Sequence, residues 1–259
     1  MFSKQKMFQD IMANEEAYKF LLNALAVGEV DSSVGIDRLA ELIDDPVLKR
    51  KTLRLYGDEV KHGRLFTKRL KECGMDPRPM DKRLDYETFL HDADFGLDNG
   101  RLKDNRPLND DEIVRWLAGC LVREERACAE LTGMKECFES DKKTSRVLTE
   151  IMGDEYRHVG YAMAGLQAYE KKGFGARINQ LLTQYRKMEA TVHAQVSINF
   201  TQEFFRMLNY PKWLYSLAVM AIWVEAGLRW LFPKPLIAER EVREKAPGEF
   251  MVLEEAVVA

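Results

Sequence analysis

The pattern G-D-E-x-x-H occurs twice in this chain. In an α-helix, residues three positions apart project from the same face, so Glu59 and His62 can reach a common point, as can Glu155 and His158. Apolar residues recur at helical spacing on the same stripe of both segments. A carboxylate directed into an apolar interior carries a large desolvation cost unless it is paired or binds a metal. Two such carboxylates, each with a histidine in register, predict a buried metal site.

Two further segments each offer one carboxylate to this site. Glu29 is the acid in the middle of its segment that shares the apolar stripe, whereas Glu124 and Glu125 compete in the other segment. The spacing from Glu29 to Glu59 equals that from Glu125 to Glu155, which favours Glu125. The apolar faces of the two segments align when Glu29 matches Glu124. Because a loop can change by one residue and a helix face cannot, we favour Glu124 and expect Glu125, rotated by about 100°, to lie behind the ligands or to be partly exposed.

The sequence predicts helices for the segments that carry these residues. No convincing alternation of apolar and polar residues, which would predict a strand, occurs. Capping residues, a first-turn proline and Gly/Pro stops delimit each segment. The predicted helices run over Glu15–Ile43, Pro46–Cys73, about 109–138, about 141–171, Ala176–Leu208 and Trp213–Phe232.

The connections between these helices predict the topology. The first two are joined tightly, as are the third and fourth, so each pair should form an antiparallel hairpin. The connection over 74–109 is long enough to carry the chain from one end of a bundle to the other. We therefore predict an all-α fold, with a four-helix bundle over 1–175 and a helical C-terminal extension over 176–259.

The apolar segment Trp213–Phe232 is nearly long enough to cross a bilayer, but Glu225 and Arg229 lie inside it, one turn apart. Three interpretations remain open. The segment could pack against the bundle or a sister subunit in a homodimer, contact a membrane surface, or span a membrane. Its tryptophans and methionines would also suit a hydrophobic substrate.

The motifs "DEVKH" and "DEYRH" resemble the D-E-x-R-H motif of the ferritin-like di-iron carboxylate superfamily, notably its monooxygenases, desaturases and rubrerythrin relatives. The resemblance covers about 15–173 and implies a ferritin-like four-helix bundle with a long central crossover, here with extra C-terminal helices. It implies two iron ions, with manganese as the substitute. It also implies that Asp58 and Asp154 orient the ligating histidines. The predicted metal ligands are Glu29, Glu59, His62, Glu124, Glu155 and His158.

The resemblance implies a di-iron oxidoreductase that activates dioxygen to oxidise an organic substrate. No rubredoxin-type or flavin-type motif occurs, so a separate protein should donate the electrons. A ferroxidase or iron-handling protein and a rubrerythrin-like peroxide reductase are the alternatives. The substrate itself is not predicted.

Composition narrows the range of possible partners and cellular locations. The 259 residues carry a formal net charge of −3, which gives no general attraction to nucleic acid. The start of the chain mixes charge and methionine too finely for a secretory signal, and the four cysteines form no C-x-x-C pair. We therefore expect a cytoplasmic protein with reduced thiols, in contact with a membrane if the apolar helix binds one.

Overall fold

The computed structural model describes residues 3–250, apart from the side chain of Asn99. This range is built from α-helices, turns, short 3-10 segments and a π-helical turn, with no strand, which confirms the all-α prediction. Residues 251–259 of the predicted extension lie outside the described range. The helices are α1 Lys4–Ala13, α2 Glu15–Ser33, α3 Ile36–Glu41, α4 Pro46–Glu72, α5 Tyr86–Asp92, α6 Asp110–Cys137, α7 Lys142–Tyr169, α8 Gly175–Met207, α9 Lys212–Leu231 and α10 Glu239–Lys245.

Local capping signals explain where the long helices begin. Asp45 accepts hydrogen bonds from the first free N–H groups of α4, and Pro46 takes the first helical position, where its missing N–H is harmless. Asn109 and Glu112 form a reciprocal capping box at the start of α6. These boundaries confirm the sequence prediction for α4 and α6 to within one or two residues.

The predicted single helix over Glu15–Ile43 is wrong, because the chain breaks between α2 and α3. Val34 is extended, and Gly35 has a φ of 83°, a conformation that favours glycine. A Cβ on Gly35 would also lie 3.0 Å from the Leu102 side chain. The hydroxyl of Ser33 donates to the carbonyl of Val30 at 2.7 Å and so competes with the helical ladder. The break ends α2 one turn after Glu29.

The long helices pack as a bundle in which α2 lies on α4, α6 lies on α7, and α4 lies on α7. Two apolar clusters fill it. One contains Leu55, Leu117 and Val159, and the other contains Phe66 and Ile151. Along α4 and α7 the two G-D-E-x-x-H motifs lie between these clusters, so the bundle places a polar layer between two apolar ones.

The remaining helices surround this bundle. The connection over 74–109 contains α5, which packs on α2 and α8, while α8 packs on α6 and α10 packs on α7. A wide turn over 170–174, with Gly173 at a φ of 95°, joins α7 to α8. Helix α9 lies along α8, with Ala226 as its one buried residue. In the described part of the chain, α9 is also the helix whose length and composition would suffice to cross a membrane.

Candidate metal centre

Four helices direct carboxylates and imidazoles into the polar layer. Helix α4 supplies Glu59 and His62, and α7 supplies Glu155 and His158, each pair from one helix face. All four side chains are buried. Helix α6 adds the buried Glu124, and α2 adds Glu29, whose side chain is 16% exposed.

The two histidines approach the carboxylates through the same ring nitrogen. His62 Nδ1 lies 3.2 Å from a Glu155 oxygen and 3.6 Å from a Glu29 oxygen. His158 Nδ1 lies 3.4 Å from oxygens of both Glu59 and Glu155. The imidazole centroids are 5.9 Å apart. Glu155 therefore lies between the two rings.

These side chains form two overlapping groups of candidate ligands. Glu59, Glu124, Glu155 and His158 can each offer one donor atom, with all four atoms within 4.8 Å of one another. Glu29, Glu59 and His62 form a second group by the same measure. The groups share Glu59, as expected of a carboxylate between two neighbouring ions. The buried Glu/His cluster could therefore hold metal.

Unpaired donor atoms at the centre fit a cation. His62 Nδ1, His158 Nδ1 and Glu155 Oε2 are buried without a hydrogen bond, although carboxylate oxygens lie close to each ring nitrogen. A buried polar atom without a partner costs about 1–3 kcal/mol, so unpaired atoms of this kind are rare in folded proteins. These three atoms, within one buried cluster, match the oxygen and nitrogen ligands that iron, manganese and zinc take.

Asp58 and Asp154 contact the far nitrogens of the histidines across the helix pair. Asp154 of α7 lies 3.1 Å from His62 Nε2 of α4, and Asp58 of α4 lies 3.4 Å from His158 Nε2 of α7. A carboxylate in this position accepts a hydrogen bond from the Nε2–H group, keeps the proton on Nε2 and so leaves Nδ1 free to bind a metal. Each motif thus supplies the aspartate that orients the histidine of the other motif.

Basic side chains join the two aspartates on the outer side of α4 and α7. Arg157 donates to Asp154 and, at 3.3 Å, to Asp58. Lys61 also donates to Asp154. Burial would raise the pKa of Asp58, but the hydrogen bond from His158 and the charges of His158 and Arg157 lower it to about 2. Both carboxylates therefore stay ionised and keep accepting from the rings.

Three of the four central carboxylates, Glu29, Glu59 and Glu124, have raised pKa values, whereas contacts with His158 and His62 outweigh burial and lower the pKa of Glu155. Burial raises the pKa of Glu59 well above its ordinary value, and the charges of Glu155 and Glu124 raise it further. Burial alone would lower the pKa of His62, but contact with Glu155 and Glu29 raises it to about 11. The cluster therefore retains protons, which a bound cation would displace.

Glu124 and Glu125 face different surroundings in the structure. Glu124 Oε2 lies 3.6 Å from His158 Nδ1, on the face that meets the cluster. Glu125 points away, accepts from Arg186 at 2.9 Å and from the backbone N–H of Leu236 at 3.2 Å. Of the two alternatives for Glu125, partial exposure is wrong, because α8 and the segment after α9 cover that face of α6.

Ser32 is a residue that the sequence patterns did not single out. Its hydroxyl donates to Glu59 Oε2 at 2.7 Å and also lies 2.9 Å from the backbone carbonyl of Glu29. It thereby connects the end of α2 to the carboxylate that both ligand groups share. Its position three residues after the predicted ligand Glu29 was the available sequence signal. Helix spacing alone does not predict which residue the serine contacts.

A scan against protein-family models, a search of curated proteins and a search of solved structures each find no match to this chain. The function is therefore inferred from the geometry of the cluster and from the motifs.

Proposed function

We propose that this chain is a di-iron oxidoreductase, which uses dioxygen to oxidise an organic substrate with electrons from a separate donor protein. The observation that carries the proposal is the pair of overlapping ligand groups that share Glu59. Each group contains one histidine whose Nδ1 atom is buried and unpaired. Two half-sites of this kind are what a carboxylate-bridged pair of metal ions requires.

The donor set supports iron, with manganese as the substitute. Four carboxylates and two imidazoles, without a thiolate among them, suit iron or manganese better than copper(I) or an iron–sulfur cluster. The resemblance of "DEVKH" and "DEYRH" to the di-iron motif points the same way. When bound, the two irons would supply the redox chemistry that couples dioxygen reduction to substrate oxidation.

The protein's own residues would perform the supporting roles. Asp58 and Asp154 would hold the protons on the Nε2 atoms and so keep both Nδ1 atoms available. Ser32 would hold Glu59 in place by its hydrogen bond. The apolar clusters on either side would exclude bulk water and strengthen every electrostatic contact in the layer.

Loading the protein with ferrous iron under anaerobic conditions and then adding dioxygen tests this proposal. We expect about two irons per chain, as the two half-sites imply. We also expect one round of iron oxidation, visible in the near ultraviolet, and no second round until a reductant is added. Substrate classes can then be screened by whether they accelerate the decay of the absorbance change.

Three outcomes would contradict the proposal. Repeated oxidation of added ferrous iron, with many irons retained per chain, would identify an iron-storage protein. Faster reaction with hydrogen peroxide than with dioxygen would favour the peroxide-reducing alternative. Metal content near zero after loading, with the helical circular dichroism intact, would exclude the metal site altogether.

A further inference from the structure

The outer face of α9 carries most of the large exposed apolar side chains in the described part of the chain. Away from α9, this class contains Val30, Val34 and Leu53. On α9 and its C-cap, each member is between 45% and 65% exposed; they are Trp213, Leu217, Met220, Trp223, Val224, Leu228, Trp230, Leu231 and Phe232. A monomeric protein rarely leaves so continuous an apolar face in water.

The spacing of these side chains is that of a helix that pairs with another helix. Six of them follow one another at intervals of three or four residues along the whole length of α9, and we call them the α9 stripe: Trp213, Leu217, Met220, Val224, Leu228 and Leu231. Such spacing keeps one narrow seam on one side of a helix. Since α8 covers the opposite side of α9, the stripe faces outward.

We propose that the α9 stripe is a homodimer interface, in which α9 of a second copy lies antiparallel against it. Reversing the helix direction about Ile222 superposes four of the six stripe positions on one another, while Leu217 falls opposite Gly227 and Leu228 opposite Ser216. It brings Trp213 opposite Leu231 of the second copy and Met220 opposite Val224. A twofold interface requires this kind of self-complementary surface.

Gly227 completes the match. In the antiparallel arrangement, Gly227 of one copy lies opposite the bulky side chain of Leu217 of the second copy. Among the described residues, nothing lies within 4 Å of the place where a Cβ on Gly227 would be. Gly227, one position before Leu228 of the stripe, therefore leaves an open space where the second copy offers a leucine.

The area reaches the lower end of the range for specific interfaces. The six side chains of the α9 stripe each expose roughly 100 Å², which amounts to roughly 600 Å² per chain or about 1,200 Å² in total. Lys212, Glu225 and Arg229 are the charged residues of α9. Glu225 and Arg229 neutralise each other through a contact of 3.2 Å, so little charge opposes the approach of a second copy.

The same charges favour a protein partner over a lipid surface. Helices that lie on a membrane carry many lysines and arginines along their polar flank, which attract anionic lipids. Helix α9 carries only Lys212 and Arg229, and Glu225 already pairs with Arg229. The interior positions of that ion pair also make α9 a costly membrane-spanning segment.

A matched pair of variants tests the interface by sedimentation equilibrium of the full chain. Leu217→Glu places a charge in the α9 stripe, and Leu53→Glu makes the same change at a leucine on α4 of nearly equal exposure, 47% against 44%. The unmodified protein should be a dimer. Leu217→Glu should weaken dimerisation by at least about 30-fold, the effect of losing one central contact. Leu53→Glu should leave dimerisation unchanged, and circular dichroism should be unchanged in both.

The antiparallel orientation can be tested by cross-linking. One chain carrying Trp213→Cys, mixed with another carrying Leu231→Cys, should form a disulfide-linked heterodimer under mild oxidation. Unmodified chain, with its four native cysteines, is the control. Cross-links confined to Trp213→Cys alone would indicate a parallel pair and overturn the arrangement. A monomeric unmodified protein would overturn the interface, whether or not it floats with phosphatidylglycerol vesicles.

Discussion

The centre of the bundle and the outer face of α9 reverse the usual distribution of polar and apolar groups. At the centre, Glu59, Glu124 and Glu155 are buried with two histidines, whereas α9 holds half-exposed tryptophans and leucines in water. Burying charge is costly, and leaving apolar area in water forgoes about 25 cal/mol per Å². Neither region improves the stability of an isolated chain. Each would be explained by the component that we propose binds to it, a cation in one case and a second copy in the other.

The largest effect should come from removing the carboxylate between the two histidines. Glu155→Ala should weaken ferrous iron binding by more than about 100-fold, beyond the loss typical of residues that only support a ligand. Equilibrium dialysis with elemental analysis measures this. Glu150→Ala, which removes an exposed acid from the same helix, should bind iron normally. Normal iron content in the Glu155 variant would exclude that residue as a ligand.

Substitutions at Glu124 and Glu125 should affect different properties, metal binding at Glu124 and stability at Glu125. Glu125→Gln breaks the buried contact with Arg186 and should lower the free energy of unfolding by about 3 kcal/mol, while the iron content is retained. Glu124→Gln should lose iron, yet the metal-free protein should unfold at nearly the same denaturant concentration. Burial already raises the pKa of Glu124 and favours its neutral form, which glutamine mimics. The reverse pattern would place Glu125 at the metal.

A smaller effect is expected from the aspartates behind the histidines. Asp154→Asn and Asp58→Asn should each weaken iron binding by about 10–100-fold, because an amide stabilises the ligating imidazole less than a carboxylate does. Asp92→Asn, at an exposed position of α5, is the control. If both variants bind iron as tightly as the unmodified protein, the contacts at Nε2 only support the fold.

The smallest effect should be found on α9. Leu228→Gln should change the free energy of unfolding by no more than about 0.5 kcal/mol when the protein is dilute enough to be monomeric, because the side chain already lies in water. Chemical denaturation at decreasing protein concentration measures this. A loss above 1.4 kcal/mol, a factor of about ten in the folding equilibrium, would mean that Leu228 packs within its own chain.

Much of the polar layer could be predicted from the sequence, because helix periodicity is a local property. The i, i+3 spacing in the two G-D-E-x-x-H motifs puts Glu59 with His62 and Glu155 with His158 on common faces, whatever the helices pack against. Caps such as Asn109 are equally local, so the start of α6 was predictable. That Glu124 rather than Glu125 faces the cluster followed from the apolar stripe.

The tertiary structure decided what depends on elements distant in sequence. Each aspartate meets the histidine of the other motif, Glu125 is buried beneath α8, and Ser32 holds Glu59. The break at Gly35 fits a close contact with Leu102 from the long connection. The burial of one face of α9 and the exposure of the other were likewise beyond the sequence, because its composition suits a core, an interface or a membrane equally. Helical spacing determines which side chains share a face, but only packing determines what that face meets.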